Sequence, residues 1–264
     1  STPPSPSERF IRSSLLPNLC KAVAKNERYY GDFAIFETAQ VFHDTDYTTP
    51  YDPREKLPSQ RKNVAGAFVS AGKDVAALFR KAKGVVEMMP RYTHMERYDF
   101  RQVEKPVWAD EVVWLNIYLG EERIGDLALL SKRVSMACGI KNVNVMLFQL
   151  DQDALVPLRS RTNTFTHLAE YPMTDYDISL LLDGEVKWAD VAETIEGVKN
   201  PLLHGASFVD EYRGKQVPAG KKSLTARLTI GSTEKTLTSA EIEEVANSVL
   251  KKLSKRFGAE LRSR

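Results

Sequence analysis

Five basic side chains, Arg213, Lys215, Lys221, Lys222 and Arg227, stand between Tyr212 and Thr233 with no carboxylate among them. Closely spaced cations without internal partners suit a ligand that presents a line of negative charge, a phosphate backbone. The alternative is a solvated hairpin loop. The segment Lys222–Ile230 alternates strictly. Leu224, Ala226, Leu228 and Ile230 mark an inner face, and Ser223, Thr225, Arg227 and Thr229 a polar outer one. That outer row carries no aromatic residue, so base stacking of the RNA-recognition kind has little support there. A second basic cluster, Lys251, Lys252, Lys255 and Arg256, closes a predicted helix and complements its dipole.

Other motifs carry less chemistry. Gly214 to Ser223 imitates a phosphate-binding loop, but five residues separate its glycines and an extra lysine precedes the serine. A strand rather than a helix follows, so no helix N-terminus would face the phosphates. His43, His94, His167 and His204 are widely separated, and neither Cys20 nor Cys138 has a second ligand at metal spacing. No serine-nucleophile elbow is present. The acidic stretch with Asp44, Asp46 and Asp52 lacks the glycine and terminal glutamate of a calcium loop and reads as solvated loop. Glu121-Glu122 and Glu243-Glu244 read as surface pairs. No catalytic, cofactor-binding or metal residue is therefore assigned.

Composition narrows the classes. The 264 residues carry 37 basic and 35 acidic side chains, a net charge of +2, so any nucleic-acid contact is local and wholesale DNA wrapping is excluded. No apolar run is long enough for a transmembrane helix. Two cysteines cannot build a disulfide framework and read as free thiols in a reducing compartment. The segment 1–7 resembles neither signal nor transit peptide; it reads as a disordered linker or cut edge of a longer polypeptide.

The elements that must position these residues follow from periodicity. Leu15, Leu19 and Val23 predict a helix capped by Ser13 or Ser14, with Pro17 in its first turn. Phe33–Phe42 predicts a buried strand, His43–Gln60 a polar loop, and Asn63–Ala71 a second strand. Asp74 caps a helix expected to run through Met89. Val112–Leu119 and Arg123–Leu130 predict a hairpin, Ser131–Cys138 a short helix, and Val143–Asp151 a strand. Residues 8–158 thus form an α+β unit around an antiparallel sheet, followed by a linker over 159–171. In 172–264 the order is βαββαβ: strands at Tyr176–Asp183, Ala206–Arg213, Lys222–Ile230 and Ala259–Arg262, with helices at Trp188–Val198 and after the Thr238…Glu241 capping box. That order is the ferredoxin-like split βαβ.

Particular stretches carry a family resemblance. Arg12-Ser-Ser-Leu-Leu-Pro17, Phe33-Ala-Ile-Phe-Glu-Thr-Ala-Gln-Val-Phe42, Leu78–Glu87 and Phe148–Leu155 resemble the catalytic-like module of the bacterial phenylalanyl-tRNA synthetase β subunit. Asp210–Thr229, continuing into Thr236–Ile242, resembles the ferredoxin-fold anticodon-binding domain that ends that subunit. The resemblance implies an α2β2 class II ligase in the cytoplasm, charging tRNA(Phe) with ATP and Mg²⁺ at a site in the α subunit. It implies that 8–158 is a degenerate class II core serving as scaffold and α-subunit interface, and that 172–264 contacts the anticodon region. Editing, metal-carrying and N-terminal RNA-binding modules would lie upstream. The residues agree: no Gly-rich segment ends in an arginine suited to ATP, and no arginine marks a core strand as a nucleotide grip. One departure is evident. Tyr171-Pro-Met-Thr-Asp-Tyr-Asp177 lacks the arginines that usually precede the aspartate there, which shifts weight onto Arg213, Lys215, Lys221, Lys222 and Arg227. Two other function classes stay open at this point: a freestanding nucleotide-binding enzyme, and a ferredoxin-fold regulatory or oligomerisation module.

Overall fold

Among the described residues, six antiparallel strands order the first part of the chain and four order the second. The computed structural model describes residues 11–47, 58–156, 162 and 171–262. The expectations for 1–7, Asp52 and His167, and nearly all of the 159–171 linker, fall outside them. The chain divides into two units between Thr164 and Phe165.

In the first unit, helix α1 (Leu16–Asn26) precedes strands β1 (Asp32–Tyr47) and β2 (Pro58–Ser70). Helix α2 (Val75–Tyr92) leads to β3 (Asp99–Arg101), β4 (Ala109–Leu119) and β5 (Glu122–Leu130). Helix α3 (Lys132–Ala137), β6 (Asn144–Asp151) and the short α4 (Gln152–Leu155) complete it. The strand order is β1-β2-β6-β5-β4-β3. Strand β6 explains the layering. Val145 and Leu147 meet Leu15, Leu19, Cys20 and Val23 of the α1 segment, while Met146, Phe148 and Leu150 meet Leu78, Ala82 and Val86 of α2. A period of two with both faces covered gives the unbroken apolar run seen in the sequence. Gly66 on β2 is demanded by this packing, since a Cβ there would lie 2.4 Å from Cε1 of Phe148.

Three expectations change. The predicted buried strand Phe33–Phe42 is an edge strand: Phe36 is 79% exposed, and of its residues only Val41 is buried. The expected loop 43–60 is shorter, because β1 continues through Asp44 and Asp46 to Tyr47 and β2 begins at Pro58. Leu15, not Ser13 or Ser14, is the N-cap of α1. Gln149 Oε1 accepts from the Leu15 amide (3.0 Å) and from Ser14 Oγ (2.8 Å), so a residue 134 positions away fixes this helix start.

The second unit contains β7 (Thr174–Asp183), α5 (Trp188–Glu196), β8 (Leu203–Tyr212), β9 (Lys221–Ile230), α6 (Ser239–Phe257) and β10 (Glu260–Leu261). Its order β10-β7-β9-β8, antiparallel throughout, is the ferredoxin-like arrangement, and the fold class is α+β. Ile178, Leu180 and Leu182 of β7, with Leu224, Ala226, Leu228 and Ile230 of β9, pack under Val191 and Ile195 of α5 and Val245, Val249 and Leu253 of α6. Each of these large side chains stabilises the unit by roughly 1.5–3 kcal/mol when fully buried. The capping box closes as the sequence requires: the Thr238 amide donates to Glu241 Oε2 (2.8 Å) and the Glu241 amide to Thr238 Oγ1 (3.4 Å). Gly258, at φ 63°, ends α6 in the left-handed region. Both helices cover one sheet face. Among the described residues no helix is long and apolar enough to cross a membrane.

Candidate nucleic-acid interface

The uncovered face of the second sheet is assembled by register. Opposite one another across β7 and β9 stand Asp175 and Thr229, Asp177 and Arg227, and Ser179 and Thr225. Across β8 and β9, Ser207 faces Arg227, Asp210 faces Thr225 and Tyr212 faces Ser223. Paired residues in an antiparallel ladder point the same way, so these side chains share the open face. Its centre is hydroxylic, with Ser179 Oγ and Thr225 Oγ1 3.0 Å apart and Thr229 Oγ1 donating to Asp175 (3.2 Å).

The connection 213–220 lies at one end of this face and is held by the β7–α5 turn. The Gly184 amide donates to the Gly220 carbonyl (2.8 Å), and Arg213 Nη2 donates to the Gly184 carbonyl (2.8 Å). Gly220 adopts φ +81°, a conformation open to glycine. Arg262 braces the outer side, donating to Gln216 Oε1 (3.1 Å), with its guanidinium 5.6 Å from the Tyr212 ring centre.

The five cations of the sequence do not form one free island. Arg227 is bidentate to Asp177, with Nε–Oδ1 2.7 Å and Nη2–Oδ2 2.8 Å. The hydrogen bonds and charge of Arg227 hold the Asp177 carboxyl below its ordinary range. Lys222 belongs to the inner row with Leu224; it is only 3% exposed, and its Nζ donates to Glu211 Oε2 (2.8 Å). Arg213 Nε takes the other oxygen of the same carboxylate (2.8 Å). Burial pushes the Glu211 carboxyl up, but the hydrogen bonds from Lys222 and Arg213 and their charges outweigh it, so its pKa is lowered. Lys215 and Lys221 remain exposed and form no ion pair among the described residues. Counting charge along one segment missed Glu211, one residue before it, and Asp177, fifty residues away.

Sequence reasoning also missed an aromatic residue. Tyr212 lies on the open face, 41% exposed, while Phe208 turns to the helix side and meets Trp188 edge-on at 5.7 Å. A register shift between Phe208 and Asp210 reverses the alternation along β8. Ser223 keeps its place on the outer row, opposite Tyr212, but is buried there. The histidines do not converge. His204 Nε2 is 3.2 Å from the Gly231 carbonyl, and no group of three or more metal-ligating side chains occurs among the described residues.

Two family models match the chain in order. The phenylalanyl tRNA synthetase beta chain CLM domain matches residues 1–152, and the ferredoxin-fold anticodon binding domain matches 169–262. The chain belongs to the phenylalanyl-tRNA synthetase β chain family. The phenylalanine–tRNA ligase beta subunit of Carboxydothermus hydrogenoformans is 28% identical over 99% of this chain and 32% of its own length. That of a Synechococcus species is 30% identical over 100% of this chain and 33% of its own. The chain therefore spans about a third of the length of these β subunits. Among solved structures, the pyrrolysyl-tRNA synthetase of Desulfitobacterium hafniense aligns at TM-score 0.44 and 12% identity, covering 55% of this chain and 48% of its own.

Proposed function

We propose that the chain is the non-catalytic C-terminal part of a phenylalanine–tRNA ligase β subunit, acting in the cytoplasm. The observation that carries this is the coincidence of the anticodon-binding family match with a ferredoxin-like sheet whose open face is polar and bordered by free lysines. Phosphates are held at the loop end by Lys215 and Lys221. Asp175 repels them from the far end of the face, so the backbone tracks the 213–221 side. Bases then meet Tyr212 and the Ser179–Thr225 hydroxyls, as stacking and edge contacts respectively. Arg213 and Arg227 join only by exchanging a carboxylate for a phosphate. Lys222 acts at one remove, by fixing Glu211.

The first unit serves as scaffold and docks the α subunit of an α2β2 assembly. Its support is the family match together with β1, an edge strand that exposes Phe36. ATP and Mg²⁺ act in the assembled enzyme at residues the α subunit supplies. Anchoring the anticodon far from the reacting atoms orients the acceptor end, and this positioning is the chain's contribution to rate. Filter binding of the chain to tRNA(Phe), against the same tRNA with its anticodon stem-loop deleted, tests the assignment. Preference for the intact molecule is expected; equal binding would overturn it.

A further inference from the structure

The first unit carries a second cluster that this function does not use. Tyr29 and Tyr30, in the turn from α1 to β1, are 70% and 60% exposed. Their rings meet edge to face at 6.5 Å and 61°, and Tyr30 repeats that contact with Phe33. Arg28 lies 5.2 Å from the Tyr29 ring centre. Side chains this large stay exposed without a packing reason.

Hydrogen bonds draw further cations to the same corner. Glu27 accepts from the Lys141 and Asn142 amides, which brings Lys141 beside the end of α1. The Ala71 amide donates to the Gly31 carbonyl, and Asn144 Nδ2 to the Gly72 carbonyl, which brings the loop holding Lys73 alongside. Lys21, Lys25, Arg28, Lys73 and Lys141 are all exposed, and among the described residues none of them forms an ion pair. Three carboxylates lie near, each accepting from neutral donors and keeping its charge: Glu27 as above, Asp32 from Ser70 Oγ, and Asp74 from the Ala77 amide at the start of α2, so the corner keeps an excess of positive charge.

We propose that this corner, Tyr29 and Tyr30 ringed by Lys25, Arg28, Lys73 and Lys141, binds unpaired nucleotides of an RNA. Exposed aromatic faces among unpaired cations are what a flexible single strand requires, for stacking and for phosphate neutralisation. A protein partner fits less well, because lysines are depleted from the desolvated centres of protein interfaces. The proposal rests on the reading that this protein handles tRNA, but it concerns a surface on the other unit.

Fluorescence anisotropy of the whole chain with a labelled oligouridylate of about a dozen nucleotides tests it. Tyr29→Ala/Tyr30→Ala should weaken binding about tenfold with little change in salt dependence, as expected for lost stacking. Tyr29→Phe/Tyr30→Phe should retain it. Lys25→Ala/Arg28→Ala should lower the salt slope by roughly 1.4, two single-strand phosphate contacts at about 0.7 each. An unchanged melting temperature keeps these variants interpretable. If both corner variants bind as the parent does while Lys215→Ala/Lys221→Ala weakens binding, the corner proposal fails and the anticodon assignment stands. If the parent chain binds no RNA at all, both fail. If the tyrosine variant keeps RNA but loses the α subunit on co-purification, the corner is a protein contact and the proposal is overturned.

Discussion

Arg227 and Asp177, fifty residues apart, face each other across β9 and β7 and share two hydrogen bonds of 2.7 and 2.8 Å. The pair turns the most central cation of the open face into a latent one, available to a phosphate only when the carboxylate is displaced. Asp177→Asn should therefore strengthen tRNA binding several-fold and steepen its salt slope by about one phosphate contact. The sign follows from the carboxyl being held below its ordinary value of 3.8: the pair is intact at neutral pH and dissolves only as pH falls through that depressed value. Weaker binding by Asp177→Asn would show that the aspartate itself touches the RNA.

Lys222 and its neighbour Lys221 should behave oppositely. Lys222→Ala removes a buried cation from Glu211, at a cost of about 2–3 kcal/mol, below the full penalty of a buried pair because Glu211 is partly exposed. Lys221→Ala should change stability little. Urea denaturation separates the two. Because Glu211 is held below 4.5, its contribution is complete above that pH and is lost as pH falls towards the depressed value. The Lys222→Ala protein should lose part of this acid sensitivity.

Asn116 is fully buried and satisfied on both sides. Its Oδ1 accepts from the Val103 (3.1 Å) and Glu104 (2.9 Å) amides, and its Nδ2 donates to Asp126 (2.7 Å) and the Glu104 carbonyl (2.8 Å). Asn116→Ala removes four hydrogen bonds of a buried side chain at once and should destabilise the first unit by about 2–3 kcal/mol. Calorimetry should show an earlier transition; an unmoved one would mean that water replaces the side chain.

The two thiols should differ in reactivity. Cys20 is buried, and burial together with its neighbour Cys138 pushes its thiol up to about 12. Cys138 is half-buried at the end of α3. Iodoacetamide at pH 8, followed by peptide mass mapping, should modify Cys138 first. Equal labelling would indicate that α1 opens readily.

What the sequence made legible was local. The stripe from Ile242 to Leu253, the Thr238–Glu241 box and the alternation of β9 are written in neighbouring residues, and each has its place in the fold. What escaped were relations set by pairing over long separations. Gln149 capping α1, Asp177 neutralising Arg227, and the shift in β8 that turns Tyr212 to the open face depend on register, which no window of sequence contains. Strand β3 and helix α4 escaped because three or four residues carry too little periodicity. For the same reason five linear cations reduce to two free ones.

The most direct measurement is the affinity of the chain for tRNA(Phe) across a salt series, for the parent and for Lys215→Glu/Lys221→Glu. If the loop end of the open sheet holds the anticodon backbone, the variant binds at least about tenfold more weakly at low salt, and its slope falls by roughly 1.4–1.8, two lost phosphate contacts. Identical affinity and slope, with folding intact, would contradict the assignment.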